Sequence, residues 1–113
     1  KCKKDFYIFK KGMDPEVDGY SAFYDNQQKN STGLIEFLDD RNVTDVFICG
    51  LAGDLCCKYT ALDSAIIGGY NTYFIIDAIK FIDDNKTFTL KELIDAGVKV
   101  IDTFDLTFID LLK

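Results

Sequence analysis

Residues 46–67 read VFICGLAGDLCCKYTALDSAII. The opening run, Val46-Phe47-Ile48-Cys49-Gly50-Leu51-Ala52, carries no charge. An unbroken apolar run of strand length predicts a strand buried on both faces, as in a parallel sheet. Gly50 and Gly53, with small neighbours, let the backbone turn through unusual dihedrals. Asp54 has the chemistry of a helix N-cap. From about Asp54 to Ile67 the pattern predicts a helix, because Leu55, Tyr59, Leu62 and Ile66 recur at helical spacing as one apolar stripe. Gly68 and Gly69 supply its stop.

Working outward, three more apolar runs flank this unit: Phe6-Tyr7-Ile8-Phe9, Tyr73-Phe74-Ile75-Ile76 closing at Asp77, and Val98 to Ile101. The first leads into KKGMDPEVDGYSAFYDNQQKN, a polar, turn-rich loop holding the only proline. Long loops in compact domains are usually functional. STGLIEFLDDRN then predicts a helix, capped by Ser31 or Thr32, with Leu34, Ile35 and Leu38 on its apolar face. Thr89 and Glu92 form a capping-box pattern ahead of a helix that stops at Gly97. The acidic tail rich in Leu and Phe after Ile101 reads as a last helix. Strands alternating with helices through short connections predict an α/β fold with a mostly parallel sheet and crossover helices. Ligands of such sheets sit beyond the carboxyl ends of the strands. The KKGMDPEVDGYSAF loop, the GLAGDLC turn and the Asp77 region all fall at that edge.

The whole chain of 113 residues fits one domain, and its 48% hydrophobic content supplies a core. Asp and Glu number 19 against 13 Lys and Arg, giving a net charge of −6. That balance argues against nucleic acid as a partner, which needs a basic face. No apolar run approaches the ~20 residues of a membrane span, and no secretory leader opens the chain, so the expected compartment is the cytoplasm. The absence of histidine excludes a His-assisted nucleophile and a His-ligated metal held by this chain alone. Cys2, Cys49, Cys56 and Cys57 form no CxxC pair and read as free thiols in a reducing compartment. The sequons at Asn30, Asn42 and Asn85 read as unused.

Cys56 falls in the first turn of the expected helix, where unpaired N–H groups and the helix dipole favour an anion. A nucleophile and donors for a developing oxyanion thus come from one turn. The competing reading makes Cys56 and Cys57 small hydrophobes that pack a helix onto a sheet. Cys57, one step further into the helix, is the weaker nucleophile candidate. Lys11, just before Gly12, either stabilises a thiolate or is a solvated surface lysine. Tyr20 and Phe23 either flank an aromatic ligand or pack the loop.

KGMDPEVDGYSAFYDN followed by GLAGDLCCKYTALDSA resembles the nicotinamidases of the isochorismatase-like cysteine hydrolase family, and the likeness runs from FYIFKKG to GVKVID. The resemblance implies a Rossmann-like three-layer α/β/α fold and a Cys–Lys–Asp triad. Its cysteine maps to Cys56 and its lysine to Lys11. It also implies a cis peptide at Leu51–Ala52, an oxyanion hole from the N–H groups of Ala52 and Cys56, and a nicotinamide pocket lined by Tyr20 and Leu51. The implied reaction is hydrolysis of nicotinamide to nicotinate and ammonia through a thioester on Cys56, a step of NAD salvage. The implied cofactor is a divalent metal, zinc by preference. The family's sheet has the order 3-2-1-4-5-6, and the four runs here correspond to strands 3, 4, 5 and 6. Residues 1–113 therefore read as the C-terminal portion of one hydrolase domain. The catalytic Asp and the metal ligands belong to an N-terminal half, which is the expected partner. A homo-oligomer through the open sheet edge is a second expectation. Gly53 stands where the family usually has Thr, and Leu55 where Tyr or His is common. The alternatives are another small-amide hydrolase of the family, and a non-catalytic fragment acting only in binding or assembly.

Overall fold

The computed structural model describes residues 6–28, 30–82 and 86–105. Three strands, β1 (Asp45–Leu51), β2 (Asn71–Lys80) and β3 (Lys99–Ile101), form a parallel sheet in the order β1-β2-β3. Parallel neighbours need a crossover, and here each crossover is helical. Helix α2 (Cys56–Leu62) runs straight into a π-helical turn (Asp63–Ile67) between β1 and β2, and α3 (Lys86–Asp95) links β2 to β3. Helix α1 (Leu34–Asp40) precedes β1. The expected α/β class with a parallel sheet and flanking helices is the one the chain adopts.

Ile48, Phe74 and Val98, one from each strand region, meet Cys57 and Ala61 of α2 and Leu93 of α3 in a single core. Lys58 of α2 reaches Glu92 of α3 at 3.1 Å. The expected stripe on α2 is displaced by two positions. Cys57, Ala61 and Ser64 are buried, while Tyr59 is 39% and Ile66 66% exposed. Small side chains let the helix lie close on the sheet; Tyr59 and Ile66 turn away from it, while Leu62 packs at the margin of the core as the stripe expected. Ser64 and Thr72 satisfy each other inside this contact, their hydroxyl oxygens 2.7 Å apart.

Several expectations are corrected. Phe6–Phe9 is not a strand, because no neighbour among the described residues offers it a ladder. Tyr7 and Phe9 instead pack edge-on against Phe37 of α1, and the Arg41 guanidinium lies 3.7 Å from the centroid of the Phe37 ring. Phe6 and Ile8, the alternate residues, remain 84% and 80% exposed. Strand β1 is not buried on both faces. It is the sheet's edge, only Ile48 along it is buried, and Phe47 stacks on Tyr73 at 4.5 Å on the uncovered side. Strand β2 does not close at Asp77 but continues to Lys80, and the register slips between Ile48 and Gly50 of β1. Thr89 does not cap α3, which begins at Lys86 and buries Thr89 within it. Gly97, at φ 93°, does end that helix, and the Val98 N–H donates to Leu93 O at 2.9 Å. The Asp102 and Asp105 carboxylates each accept from the other's N–H, at 2.8 and 3.3 Å, in a reciprocal cap. Residues 103–105 are helical after that cap, and the rest of the expected last helix, residues 106–113, lies outside the described residues.

Candidate active site

Cys56 is the first residue of α2 and is half-buried. The Lys11 ammonium donates to Gly19 O at 3.0 Å and stands 3.6 Å from Cys56 Sγ. That distance puts a cation within reach of charge carried by the sulfur, an arrangement a cysteine nucleophile can use. Lys11 arrives there although its segment makes no strand, because the following loop is folded tightly back. Gly12 takes φ 65°, and a Cβ on Gly19 would meet the Gly12 backbone at 2.8 Å. Only two glycines permit that approach. Within the loop, the Asp14 carboxylate accepts from Glu16 N–H at 2.9 Å, and the Asn26 side-chain oxygen accepts from Tyr20 N–H at 3.1 Å.

The turn between β1 and α2 is held from both sides. The Gly53 N–H donates to Lys80 O at 2.7 Å, and Ala52 O accepts from Leu55 N–H and Cys57 N–H at 3.1 and 2.9 Å. The Leu51–Ala52 peptide is cis, as the resemblance implies. Ala52 is buried, whereas Leu51, at the tip of β1, is 73% exposed. Asp54 is not the helix cap. Leu55 occupies that position, and the buried Asp54 carboxylate accepts from Ile82 N–H at 3.2 Å, tying the turn to the chain beyond β2. The space a side chain would take at Gly53 is filled by the Phe81 ring, 2.8 Å from an added Cβ. That accounts for glycine where the resemblance expects Thr.

The remaining site residues divide between the two readings given them. The Tyr20 ring stacks on Tyr59 with centroids 5.8 Å apart. Phe23 is a core residue, almost fully buried and facing Tyr70. Asp77, within β2, holds the chain just past β3, accepting from Thr103 N–H at 3.0 Å and from its hydroxyl at 2.7 Å. Cys57 is buried against the sheet, and burial first, then the neighbouring thiols, pushes its pKa from 9.0 to about 11. It is the packing cysteine, and Cys56 is the reactive candidate. Tyr59, Thr60 and Asp63 were not singled out for the site by sequence, yet all three touch the Lys11 loop. The stripe reading had assigned Tyr59 to packing and gave Thr60 and Asp63 no role.

The raised Cys57 value has a consequence for stability. The folded chain holds that proton more tightly than the unfolded chain, so this contribution is complete below pH 9.0 and is lost as the pH climbs towards about 11. Tyr70 adds to it, pushed up to about 12 by burial and then by its bond to Asp39. We expect the urea midpoint to fall between about pH 8 and about pH 10.5, and Cys57→Ala to flatten part of that fall. An unchanged midpoint across that range would contradict the assignment.

A metal of the kind the resemblance implies finds no fit here. The chain has no histidine, and no cluster of three His, Cys, Asp or Glu side chains occurs among the described residues. Among those residues, no helix is long and apolar enough to cross a membrane.

The Isochorismatase domain family matches residues 14–105. The nicotinamidase of Acinetobacter baylyi is 39% identical over 98 residues, which cover 85% of this chain and 45% of that protein. The structure of PnC1 from L. infantum in complex with nicotinate has a TM-score of 0.79 at 33% identity, over 84% of this chain and 48% of that one. The pyrazinamidase of Pyrococcus horikoshii in complex with zinc has a TM-score of 0.68 at 31% identity, over 79% of this chain and 46% of that one. The chain thus spans about half the length of the curated relatives it matches.

Proposed function

From a chain that belongs to the isochorismatase family, we propose a nicotinamidase: the complete protein hydrolyses nicotinamide to nicotinate and ammonia, with Cys56 as the nucleophile. The single observation that carries this reading is the 3.6 Å approach of Lys11 Nζ to Cys56 Sγ. The Cys56 thiolate attacks the carboxamide carbon. The oxyanion that forms is held by the N–H groups of Ala52 and Cys56. Collapse, with the thiol proton passed on to the leaving nitrogen by the carboxylate of the N-terminal half, expels ammonia and leaves a thioester; water then gives a proton to that carboxylate, attacks the thioester and releases nicotinate and the thiolate. Lys11 stabilises the thiolate before attack and after release. Tyr20 and Leu51 line the pyridine pocket. Nicotinate released in this way re-enters NAD synthesis, in the cytoplasm.

Residues 1–113 are, in this proposal, the C-terminal portion of one hydrolase domain. The N-terminal half brings the carboxylate that takes the thiol proton, together with any metal ligands. The half-length match to the relatives supports this, as do the open edge of β1 and the exposed Leu51, Phe6 and Ile8. The test is ammonia release from nicotinamide, pyrazinamide and aliphatic amides by the complete protein, beside residues 1–113 alone. Pyridine-type amides are expected to be turned over fastest, and the isolated portion to show no enzyme-like rate. Equal or better turnover of an aliphatic amide would move the assignment to another small-amide hydrolase. Activity of the 113 residues alone would remove the need for the N-terminal half.

A further inference from the structure

Residues Gly19 to Ala22 reach helix α2 through successive contacts. The Tyr20 ring stacks on Tyr59, with an interplanar angle of 23°. Ser21 and Asp63 line one cavity beside Tyr59, which sets the loop against the start of the π-helical turn. The Ala22 N–H donates to Thr60 Oγ1 at 2.9 Å. The far side of the same loop is fixed too, because Ala22 O accepts from the Thr32 hydroxyl at 2.7 Å and Phe23 O accepts from Thr32 N–H at 3.0 Å. Ser21 and Phe23 are buried, so this stretch has little room to shift. Gly19, the next residue back, presents the carbonyl that holds Lys11 Nζ at 3.0 Å.

These contacts close a ring that begins and ends on one helix. Cys56 opens α2, Thr60 lies one turn further along, and Asp63 begins the π-helical turn. There the Gly68 N–H bonds back to Asp63 O at 2.9 Å, five residues away. From Thr60 and Asp63 the path runs through residues 20–22 to Gly19 O, then to the Lys11 ammonium, and returns to Cys56. We propose that Thr60 and Asp63 are positioning residues that set the Lys11 ammonium against the Cys56 sulfur by docking the intervening loop on the nucleophile's own helix. This rests on the reading of Lys11 and Cys56 as the reactive pair. It adds that the cation's place is measured from the helix that carries the thiol. A movement of α2 then carries sulfur and ammonium together.

The test is the rate of carboxamidomethylation of Cys56 by iodoacetamide at neutral pH, resolved from Cys49 and Cys57 by the fragment-ion masses of the peptide that carries all three. It uses the full chain and needs no amide substrate. Lys11→Gln is expected to slow Cys56 by about tenfold. Thr60→Val, which keeps the shape and removes the acceptor, is expected to slow it by about threefold to tenfold, and Thr60→Ser to restore it. Asp63→Ala serves as the second variant, chosen because Asp63 is only half-buried. In the Lys11→Gln background, neither Thr60→Val nor Asp63→Ala is expected to slow Cys56 further, since both act through the lysine. A merely structural role would give additive losses and faster modification of buried Cys57. Additive losses, or no loss in either variant beside a clear Lys11→Gln effect, would overturn the positioning role alone. An unchanged rate in Lys11→Gln would overturn the reactive pair and the positioning role with it.

Discussion

Cys56→Ala in the complete protein is expected to lower ammonia release from nicotinamide by more than about a thousandfold, because no other group in the turn can carry the acyl intermediate. Cys57→Ala, one residue away, is expected to keep most of the activity. The contrast follows from environment. Cys57 faces the sheet, is almost fully buried, and has its thiol pushed up to about 11. Cys56 is partly open to solvent and has a lysine ammonium 3.6 Å from its sulfur. Losing Cys57 removes core contacts and costs about 1 kcal/mol of stability. The two effects separate cleanly when turnover and the urea midpoint are measured on the same samples. Loss of turnover in Cys57→Ala with activity kept in Cys56→Ala would transfer the nucleophile's role.

Lys11→Met should have the next largest effect, a fall in kcat/KM of about a hundredfold with little change in the urea midpoint. A unit charge near 3.6 Å contributes several kcal/mol at an intermediate dielectric. Exposure of the lysine reduces this to about 2–3 kcal/mol through solvent screening. Lys10 controls for a general loss of positive charge, since only Lys11 is held by Gly19 O and directed at the sulfur. Lys10→Met is therefore expected to retain activity. Equal effects of the two substitutions would mean that the ammonium acts only through the overall charge.

The unit from β1 through α2 was legible because its signals are local. An uncharged run, two glycines and a helical repeat need no distant partner to be read. The helix ended at Gly68 and Gly69 as expected, and Cys56 fell at its start. What was illegible depended on neighbours. Phe6–Phe9 has the composition of a strand, but a strand exists only when another supplies its ladder, and these residues meet Phe37 instead. Asp54 has the side chain of a cap, yet an N–H from Ile82 competes for it and wins. The stripe on α2 was assigned by bulk, while the sheet selected the small residues Cys57, Ala61 and Ser64 for close approach. The same offset hid Tyr59, Thr60 and Asp63, whose neighbours lie far back in the chain. Lys11 and Cys56 were recognisable as a pair through family likeness, and their separation was measurable only in three dimensions.

Between Ile48 and Gly50 strand β1 takes a short step, while β2 travels from Phe74 to Ile79 to stay beside it. The surplus backbone of β2 acts as a spacer, and its far end grips the reactive turn through Lys80 O and Gly53 N–H. The reach of the sulfur past the sheet is accordingly a property of how much chain is stored in β2. Removing one residue from that surplus would retract the grip by about 3.3 Å, roughly the length of one strand residue. Insertions and deletions between Ile75 and Ala78 should therefore be among the least tolerated changes in this chain, although none of those residues touches the chemistry.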